Sequence, residues 1–155
     1  MSRLQLALNV SHLEAAVDFY SKLLQARPVK RRPGYANFAV VDPPLKLVLI
    51  EGAGQPGTLN HLGIEVESTK QVGEAQRRLA GEGLATASEE NVACCYALQD
   101  KVWVDDPDGA PWEVYTVLGS TEVPPGEKLR STPGEGPSCC GERPDLANQV
   151  PLLAR

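Results

Sequence analysis

The chain begins with a regular alternation of apolar and polar side chains. From Leu4 to Val10 every second residue is leucine or valine, and Gln5, Ala7 and Asn9 lie between them. A period of two is typical of a strand that buries one face against a core. The pattern therefore predicts a β-strand at the start of the fold, with Gln5 on the face opposite the leucines.

A helix and two further strands complete this first unit. Apolar residues recur at helical spacing over 13–24, and Ser11 with Glu14 is typical of a capping box at the start of a helix. Apolar runs bounded by proline and glycine then predict strands over 35–41 and 45–50.

The following residues repeat the same plan. Residues 60–66 alternate like residues 4–10, and a shift of 56 positions places His61 on Gln5. The other elements predicted here are a helix over 68–80 and strands over 84–88, 102–104 and 112–118. Such repetition predicts an α+β fold of two tandem βαβββ modules, at about 3–51 and 59–118.

The second unit is longer than the first by about eight residues. An Asp-Pro turn precedes the last strand of each unit, and the two turns, at Asp42 and Asp106, lie 64 positions apart instead of 56. The extra residues fall within 91–99, which contains the adjacent cysteines Cys94 and Cys95. We therefore predict that this segment is a flexible functional loop added to the repeat.

The composition changes after residue 118. Six of the 13 prolines and five of the 14 glycines fall in the last 37 residues, with little periodicity. These features predict a domain over 1–118 and a flexible tail over 119–155. The tail carries a second cysteine pair, Cys139 and Cys140, whose thiols could be accessory ligands, and the alternative that we favour is that they are dispensable.

Composition and charge narrow the class of protein. A length of 155 residues with 42% hydrophobic and 23% charged residues is ordinary for one soluble globular domain. The net charge of −5 argues against nucleic acid as a partner, and no apolar run reaches the ~20 residues of a membrane span. The first residues have no signal-peptide layout, so we expect a cytoplasmic protein with reduced thiols and a small-molecule partner.

Adjacent cysteines are poorly placed to form a disulfide with each other. Neighbouring Cα atoms are ~3.8 Å apart, whereas a disulfide favours ~5.5 Å. Two such thiols can instead bind one soft atom together. The alternative is that Cys94 and Cys95 are two small hydrophobic residues of the core.

A second set of polar residues falls on repeat-related strand positions. Gln5 and His61 correspond between the units, and Glu113 on the last strand corresponds to Lys46. An imidazole nitrogen, a carboxylate and an amide oxygen on one face suit a divalent metal such as Fe(II). A solvated glutamine, an ion-paired glutamate and a structural histidine remain open alternatives, and His12 is expected at the surface.

Other side chains could complete such a site. Tyr35, Phe38, Trp103 and Tyr115 could form the wall of an apolar pocket, or they could belong to the core. Lys101 is a candidate catalytic cation beside the metal, and a surface lysine is the alternative.

Taken together, these motifs resemble the vicinal oxygen chelate superfamily of glyoxalases, bleomycin-resistance proteins and extradiol dioxygenases. Within it the chain is more closely similar to the arsenic-inducible carbon–arsenic lyases, some of whose relatives are called cadmium-induced proteins. The resemblance covers about residues 3–118. The motifs that carry it are Gln5-Leu-Ala-Leu-Asn-Val, Gly34-Tyr-Ala-Asn-Phe, Pro43-Pro-Leu-Lys-Leu-Val-Leu, Leu59-Asn-His-Leu-Gly, Cys94-Cys95 and Gln99-Asp-Lys-Val-Trp-Val.

The resemblance implies a dioxygenase that uses Fe(II) and O2 to cleave the carbon–arsenic bond of trivalent organoarsenicals. Methylarsenite and trivalent aromatic arsenicals would be substrates, and arsenite the product. It implies that Gln5, His61 and Glu113 hold the metal and that Cys94 and Cys95 bind arsenic. Gln5 departs from the wider superfamily, where a second histidine is common, but fits this subfamily.

Two other functions stay open at this point. The protein could sequester As(III) or Cd(II) through its thiols without catalysis, or it could be a glyoxalase-like lyase or drug-binding protein on the same fold. Fold alone does not decide between them, because one architecture hosts many chemistries. The sequence sets neither the preferred organic group nor the oligomeric state.

Overall fold

Two βαβββ modules follow one another in the computed structural model, which describes residues 1–124. The first contains β1 (Arg3–Val10), α1 (Leu13–Leu24), β2 (Lys30–Arg32), β3 (Tyr35–Val40) and β4 (Leu45–Glu51). The second contains β5 (Leu59–Glu65), α2 (Thr69–Gly81), β6 (Ala87–Cys94), β7 (Ala97–Asp105) and β8 (Pro111–Ser120). The prediction of a tandem βαβββ fold is confirmed, whereas Cys139 and Cys140 lie outside the described residues.

All eight strands form one sheet in the order β2-β3-β4-β1-β5-β8-β7-β6. The antiparallel pair β1 and β5 joins the modules at the centre, and each of these strands also pairs in parallel with the last strand of its own module. In this register Gln5 lies opposite Gly63, and Gly63 lies opposite Glu113. Three adjacent strands thus carry these residues in one row across the sheet.

The two faces of β1 divide as the alternation predicts. Leu6 and Leu8 pack with α1 in a hydrophobic cluster, and Gln5 and Asn9 are buried on the other face. The sheet curls around that polar face, and the curl brings its β2 end into contact with its β6–β7 end. The Lys30 ammonium, on β2, donates a hydrogen bond to the carbonyl between β6 and β7 at 2.9 Å.

The start of α1 differs from the sequence prediction. Its N-cap residue is His12, which makes no side-chain capping bond, so the capping box of Ser11 and Glu14 is wrong. The Leu13 amide instead donates to a carboxylate oxygen of Glu51 at 2.8 Å. A side chain from the end of β4 therefore satisfies the helix terminus that a local residue was expected to satisfy.

The prediction of a flexible loop over 91–99 is also wrong. Cys94 ends β6 and Ala97 begins β7, and the two residues are paired across a two-residue turn. The strands β6 and β7 have 8 and 9 residues, whereas β2 and β3 have 3 and 6. The extra residues of the second module thus lengthen a hairpin, because pairing satisfies backbone groups that an open loop would leave to water.

The last strand and the residues after it make backbone contacts beyond residue 118. β8 continues to Ser120, whose partner across the ladder is Ala97. The Tyr96 amide donates to the Val123 carbonyl at 2.7 Å, and the Thr121 amide donates to the Tyr96 carbonyl at 3.2 Å. Neither helix within residues 1–124 has the length and apolar character needed to cross a membrane.

Candidate active site

Three polar side chains meet inside the curl of the sheet. Nε2 of Gln5 lies 3.2 Å from Nε2 of His61 and donates to Oε1 of Glu113 at 2.9 Å. The His61 nitrogen lies 3.4 Å from the same carboxylate oxygen. All three residues are buried. The structure thus brings together Gln5, His61 and Glu113, called the polar triad below.

The geometry of the polar triad fits a divalent metal. Two ligand atoms about 2.1 Å from one ion and at right angles to each other are about 3 Å apart, close to the 3.4 Å between Nε2 of His61 and Oε1 of Glu113. One imidazole, one carboxylate and one amide oxygen suit a borderline ion such as Fe(II) or Mn(II). Lys46, the repeat counterpart of Glu113, places an ammonium 3.2 Å from Glu65, so this position supplies a cation and no fourth ligand.

Glu113 keeps its negative charge although it is 2% exposed. The Lys101 ammonium donates to its second oxygen, Oε2, at 2.6 Å. Burial alone would raise the pKa of Glu113, but Lys101 and His61 outweigh burial and lower the pKa to about 2. Lys101 is itself 3% exposed and lies over the rings of Trp103 and Tyr115, so the surface-lysine alternative is wrong.

Gly63 provides the space in which the polar triad packs. A Cβ atom at this position would lie 3.2 Å from Cγ of Glu113, 3.2 Å from Cε1 of Tyr115 and 3.3 Å from Nε2 of Gln5. Any side chain would therefore push two members of the triad aside. The sequence analysis gave Gly63 no role, although a glycine inside a strand often marks a close approach of this kind.

Tyr115 contacts the triad directly instead of only forming an apolar wall. Its hydroxyl donates to Oε1 of Gln5 at 2.6 Å and lies 2.8 Å from a carboxylate oxygen of Glu65. The Lys46 ammonium donates to the same hydroxyl at 3.0 Å. Burial, followed by the nearby carboxylates of Glu113 and Glu65, raises the pKa of Tyr115, so the group remains a neutral hydroxyl.

The other predicted pocket residues separate into different environments. Tyr35 lines the cavity next to the triad. Trp103 stacks edge-to-face on the His61 ring, with centroids 5.6 Å apart, and donates to Glu89 at 3.3 Å. Phe38 packs in the hydrophobic cluster under α1, so its prediction as a pocket wall is wrong.

The two cysteines occupy a strained turn. Residues 94–97, called the thiol turn, hold the Cys94 and Cys95 sulfur atoms 3.0 Å apart. Cys95 and Tyr96 both have positive φ angles, 54° and 60°. Two-residue hairpin turns of this kind favour Asn-Gly, and a side chain in this region costs of order 1–3 kcal/mol. Strain of this kind is often found at functional sites.

Contacts made by Tyr96 hold the thiol turn in place. Its amide and carbonyl bond to the segment after β8, and its carbonyl also accepts from Lys30. Its ring packs on Tyr35, with centroids 5.2 Å apart, and Arg32 lies over the same ring. The first module therefore supports the turn that carries the thiols, a role for Tyr96 that the sequence analysis missed.

One cavity connects the two candidate groups. It has a volume of about 230 Å³ and is lined by the polar triad and by Cys95, with Gln99 and Lys101 between them on β7. Cys94, the first residue of the thiol turn, is fully buried in a cluster with Ala7 and Tyr35. The carbonyl oxygen of the Gln99 side chain is buried and has no hydrogen-bond partner within residues 1–124.

Comparison with known proteins agrees with this architecture. Residues 3–114 match the family described as the Glyoxalase/Bleomycin resistance protein/Dioxygenase superfamily. The chain belongs to this superfamily. The membership inferred from the sequence motifs is therefore confirmed, and the curled sheet of eight strands is the superfamily fold.

Several curated relatives are similar over most of their length. A trivalent organoarsenical cleaving enzyme of Thermomonospora curvata is 63% identical over 79% of this chain and 82% of its own. A second, from Bacillus sp., is 39% identical over 94% of this chain and 87% of its own. The cadmium-induced protein CadI of Mycobacterium tuberculosis is 56% identical over 90% of this chain and 93% of its own.

Solved structures of the superfamily share the fold at low sequence identity. An extradiol ring-cleaving dioxygenase from B. fuscum has a TM-score of 0.56 and 20% identity, over 77% of this chain and 34% of its own. A Mn(II)-bound glyoxalase from Novosphingobium aromaticivorans has a TM-score of 0.56 and 17% identity, over 84% of this chain and 44% of its own.

We predict that Gly63→Ala lowers metal affinity by about tenfold or more while the protein remains folded, because the new methyl group displaces triad side chains. Anaerobic titration with Co(II), followed by visible absorption, measures this. Gly73→Ala in α2 is the matched control, since its Cβ meets only Arg77 at 3.5 Å. Equal affinities for the two variants would show that the close packing at Gly63 is irrelevant to metal binding.

The depressed pKa of Glu113 predicts a pH dependence of stability. Its contribution is fully present above the unfolded-state pKa near 4.5 and is lost as the pH falls towards about 2. Between pH 6 and pH 3 this loss amounts to about 2 kcal/mol. Urea unfolding at both pH values measures the free energy of unfolding, which should fall less for Glu113→Gln than for the unsubstituted protein. Equal losses for the two proteins would show that Glu113 is not the group responsible.

Proposed function

We propose that this protein cleaves the carbon–arsenic bond of trivalent organoarsenicals and releases arsenite, using bound Fe(II) and O2. The observation that carries the proposal is that the Cys95 side chain and the polar triad line the same cavity. A thiophilic group and a metal-binding group facing one small space suit a substrate that has both a soft atom and a bond to be oxidised. Two relatives named as trivalent organoarsenical cleaving enzymes support this function.

The thiol turn would capture the substrate. As(III) is soft and prefers thiolate ligands, whereas the nitrogen and oxygen atoms of the triad suit a harder ion. In the reduced protein the thiols of Cys94 and Cys95, whose sulfur atoms lie 3.0 Å apart, would each replace one hydroxyl on arsenic, and each proton would leave with that hydroxyl as water. The arsenic would keep its single organic group, which could then extend into the cavity.

The polar triad would hold the metal, with Gln5, His61 and Glu113 as ligands. A bound Fe(II) would supply the activation of O2 that the side chains alone do not provide. Lys101 keeps Glu113 ionised and donates to its second oxygen, so the first oxygen, which accepts from Gln5 in this structure, would be the one that binds the metal. Holding the substrate on the thiols limits its freedom before reaction, which is the orientation term of catalysis.

The cavity of about 230 Å³ limits the size of the organic group on arsenic. A space of this size, walled by Tyr35 and Val48, suits a methyl group or a single aromatic ring, so methylarsenite and trivalent aromatic arsenicals are the proposed substrates. The reaction needs reduced thiols, which the cytoplasm maintains.

A second candidate is sequestration of As(III) or Cd(II) without turnover. The relatives named cadmium-induced protein favour it, since their names refer to a soft metal ion and to no reaction. Both candidates use Cys94 and Cys95, but only the enzyme needs the polar triad.

The deciding experiment loads the reduced protein with Fe(II) under anaerobic conditions and then adds methylarsenite and air. We expect O2 uptake and release of arsenite, with one oxygen atom entering arsenite and the other leaving with the methyl carbon as formaldehyde, which balances methylarsenite plus O2 without another reductant. Cys95→Ser should retain Fe(II) and lose at least about 100-fold in activity, because the substrate is no longer oriented. His61→Ala should retain arsenical binding and lose O2 uptake. Arsenic speciation measures the arsenite that is released, and an oxygen electrode measures the O2 that is consumed.

Two outcomes would reject the proposal. Arsenical that is bound by the unsubstituted protein without O2 consumption supports sequestration. Full activity of the Cys94→Ser and Cys95→Ser variants on another substrate supports a glyoxalase-like lyase. Thermal unfolding of each variant provides the control that Cys94→Ser, at a fully buried position, still folds.

A further inference from the structure

The side-chain amide of Gln5 is held at both ends by different partners. Its nitrogen lies against His61 and Glu113, and its oxygen accepts from the Tyr115 hydroxyl at 2.6 Å. An amide nitrogen has no lone pair to offer a metal, whereas the amide oxygen has two. For Gln5 to be a ligand, its oxygen must therefore face the other triad residues and its nitrogen must face Tyr115.

The Tyr115 hydroxyl can serve either orientation of the amide. A hydroxyl donates one hydrogen bond and accepts two. Facing the Gln5 oxygen, it donates. Facing the Gln5 nitrogen, it accepts, and its own hydrogen has a second acceptor already in place at Glu65, 2.8 Å away.

The surroundings fix Glu65 as that acceptor. Arg3 donates to both carboxylate oxygens of Glu65, at 3.0 and 3.2 Å, and Lys46 lies 3.2 Å from one of them. Lys46 also donates to the Tyr115 hydroxyl at 3.0 Å. With the amide nitrogen as the second donor, the hydroxyl would have both lone pairs and its hydrogen engaged, which is its full capacity.

We propose that Tyr115, with Glu65 accepting its hydrogen, is a positioning residue that turns the amide oxygen of Gln5 towards the metal. This inference rests on the metal site of the proposed function and not on its arsenic chemistry. Without the hydroxyl, the buried amide nitrogen would lose its acceptor in the metal-binding orientation. The nitrogen would then favour the carboxylate of Glu113, in competition with the metal.

The first test is anaerobic Co(II) titration of Tyr115→Phe, followed by visible absorption. We expect the dissociation constant to rise by about 10- to 100-fold, the usual effect of losing a group that orients a metal ligand. Tyr35→Phe is the matched control for metal affinity: it also removes a buried hydroxyl beside the cavity, one that accepts from Asn37 at 2.9 Å. It should change the constant less than about threefold.

A double-mutant cycle separates positioning from general packing. In Gln5→Glu a carboxylate presents an oxygen to the metal in either orientation, so no positioning hydroxyl is needed. Adding Tyr115→Phe to Gln5→Glu should therefore cost less than about threefold in Co(II) affinity. An equal cost in both backgrounds would show that Tyr115 acts only through packing and would overturn the proposal.

The remaining outcomes are also decisive. If the unsubstituted protein binds no Co(II), the metal site of the proposed function fails together with this inference. If it binds Co(II) and Tyr115→Phe binds equally well, the inference alone fails. If Tyr115→Phe does not fold, NMR of the unsubstituted protein decides: Zn(II) should weaken the Overhauser contacts of the Gln5 amide protons to His61 and strengthen those to the Tyr115 ring, and unchanged contacts overturn the proposal.

Discussion

The ionised carboxylate of Glu113 is the constraint on which the rest of the structure depends. Transferring such a charge out of water costs several kcal/mol unless close partners compensate. Lys101 on β7, Gln5 on β1 and His61 on β5 supply those partners, each from a different strand. The four neighbouring strands β1, β5, β8 and β7 must therefore be in register before the charge is compensated, so the same contacts that complete the fold also assemble the polar triad.

The two ends of the cavity are stabilised in different ways. The polar triad lies on the central strands and is held by charge and hydrogen bonds. The thiol turn lies on a hairpin at one end of the strand order and is held by contacts from β2, β3 and the segment after β8. Curling of the sheet brings these ends together. The topology therefore places Cys95 and the polar triad against one cavity, although they lie on different parts of the sheet.

Much of the fold could be predicted because its signals are local. The alternation around Gln5 and the repeat that places His61 on it are visible in the sequence, and the structure brings both residues together with Glu113. What failed depends on distant contacts. The cap of α1 comes from Glu51, 38 positions from its partner. Cys95 occupies a turn position where glycine is the usual signal, so the β6–β7 hairpin had no recognisable turn motif.

The strained thiol turn holds a cysteine where glycine would be more stable. At a φ angle of 54° glycine would relieve the backbone, yet glycine carries no sulfur. A sequence shaped only by stability would not hold cysteine followed by tyrosine there. This strain lies in the turn of one hairpin. Contacts of Tyr96 with the first module, its ring with Tyr35 and its carbonyl with Lys30, offset part of the strain energy. Two of the four non-glycine residues with positive φ angles within residues 1–124 thus stand side by side in this turn, and the strain there is the cost of placing a sulfur atom beside the cavity.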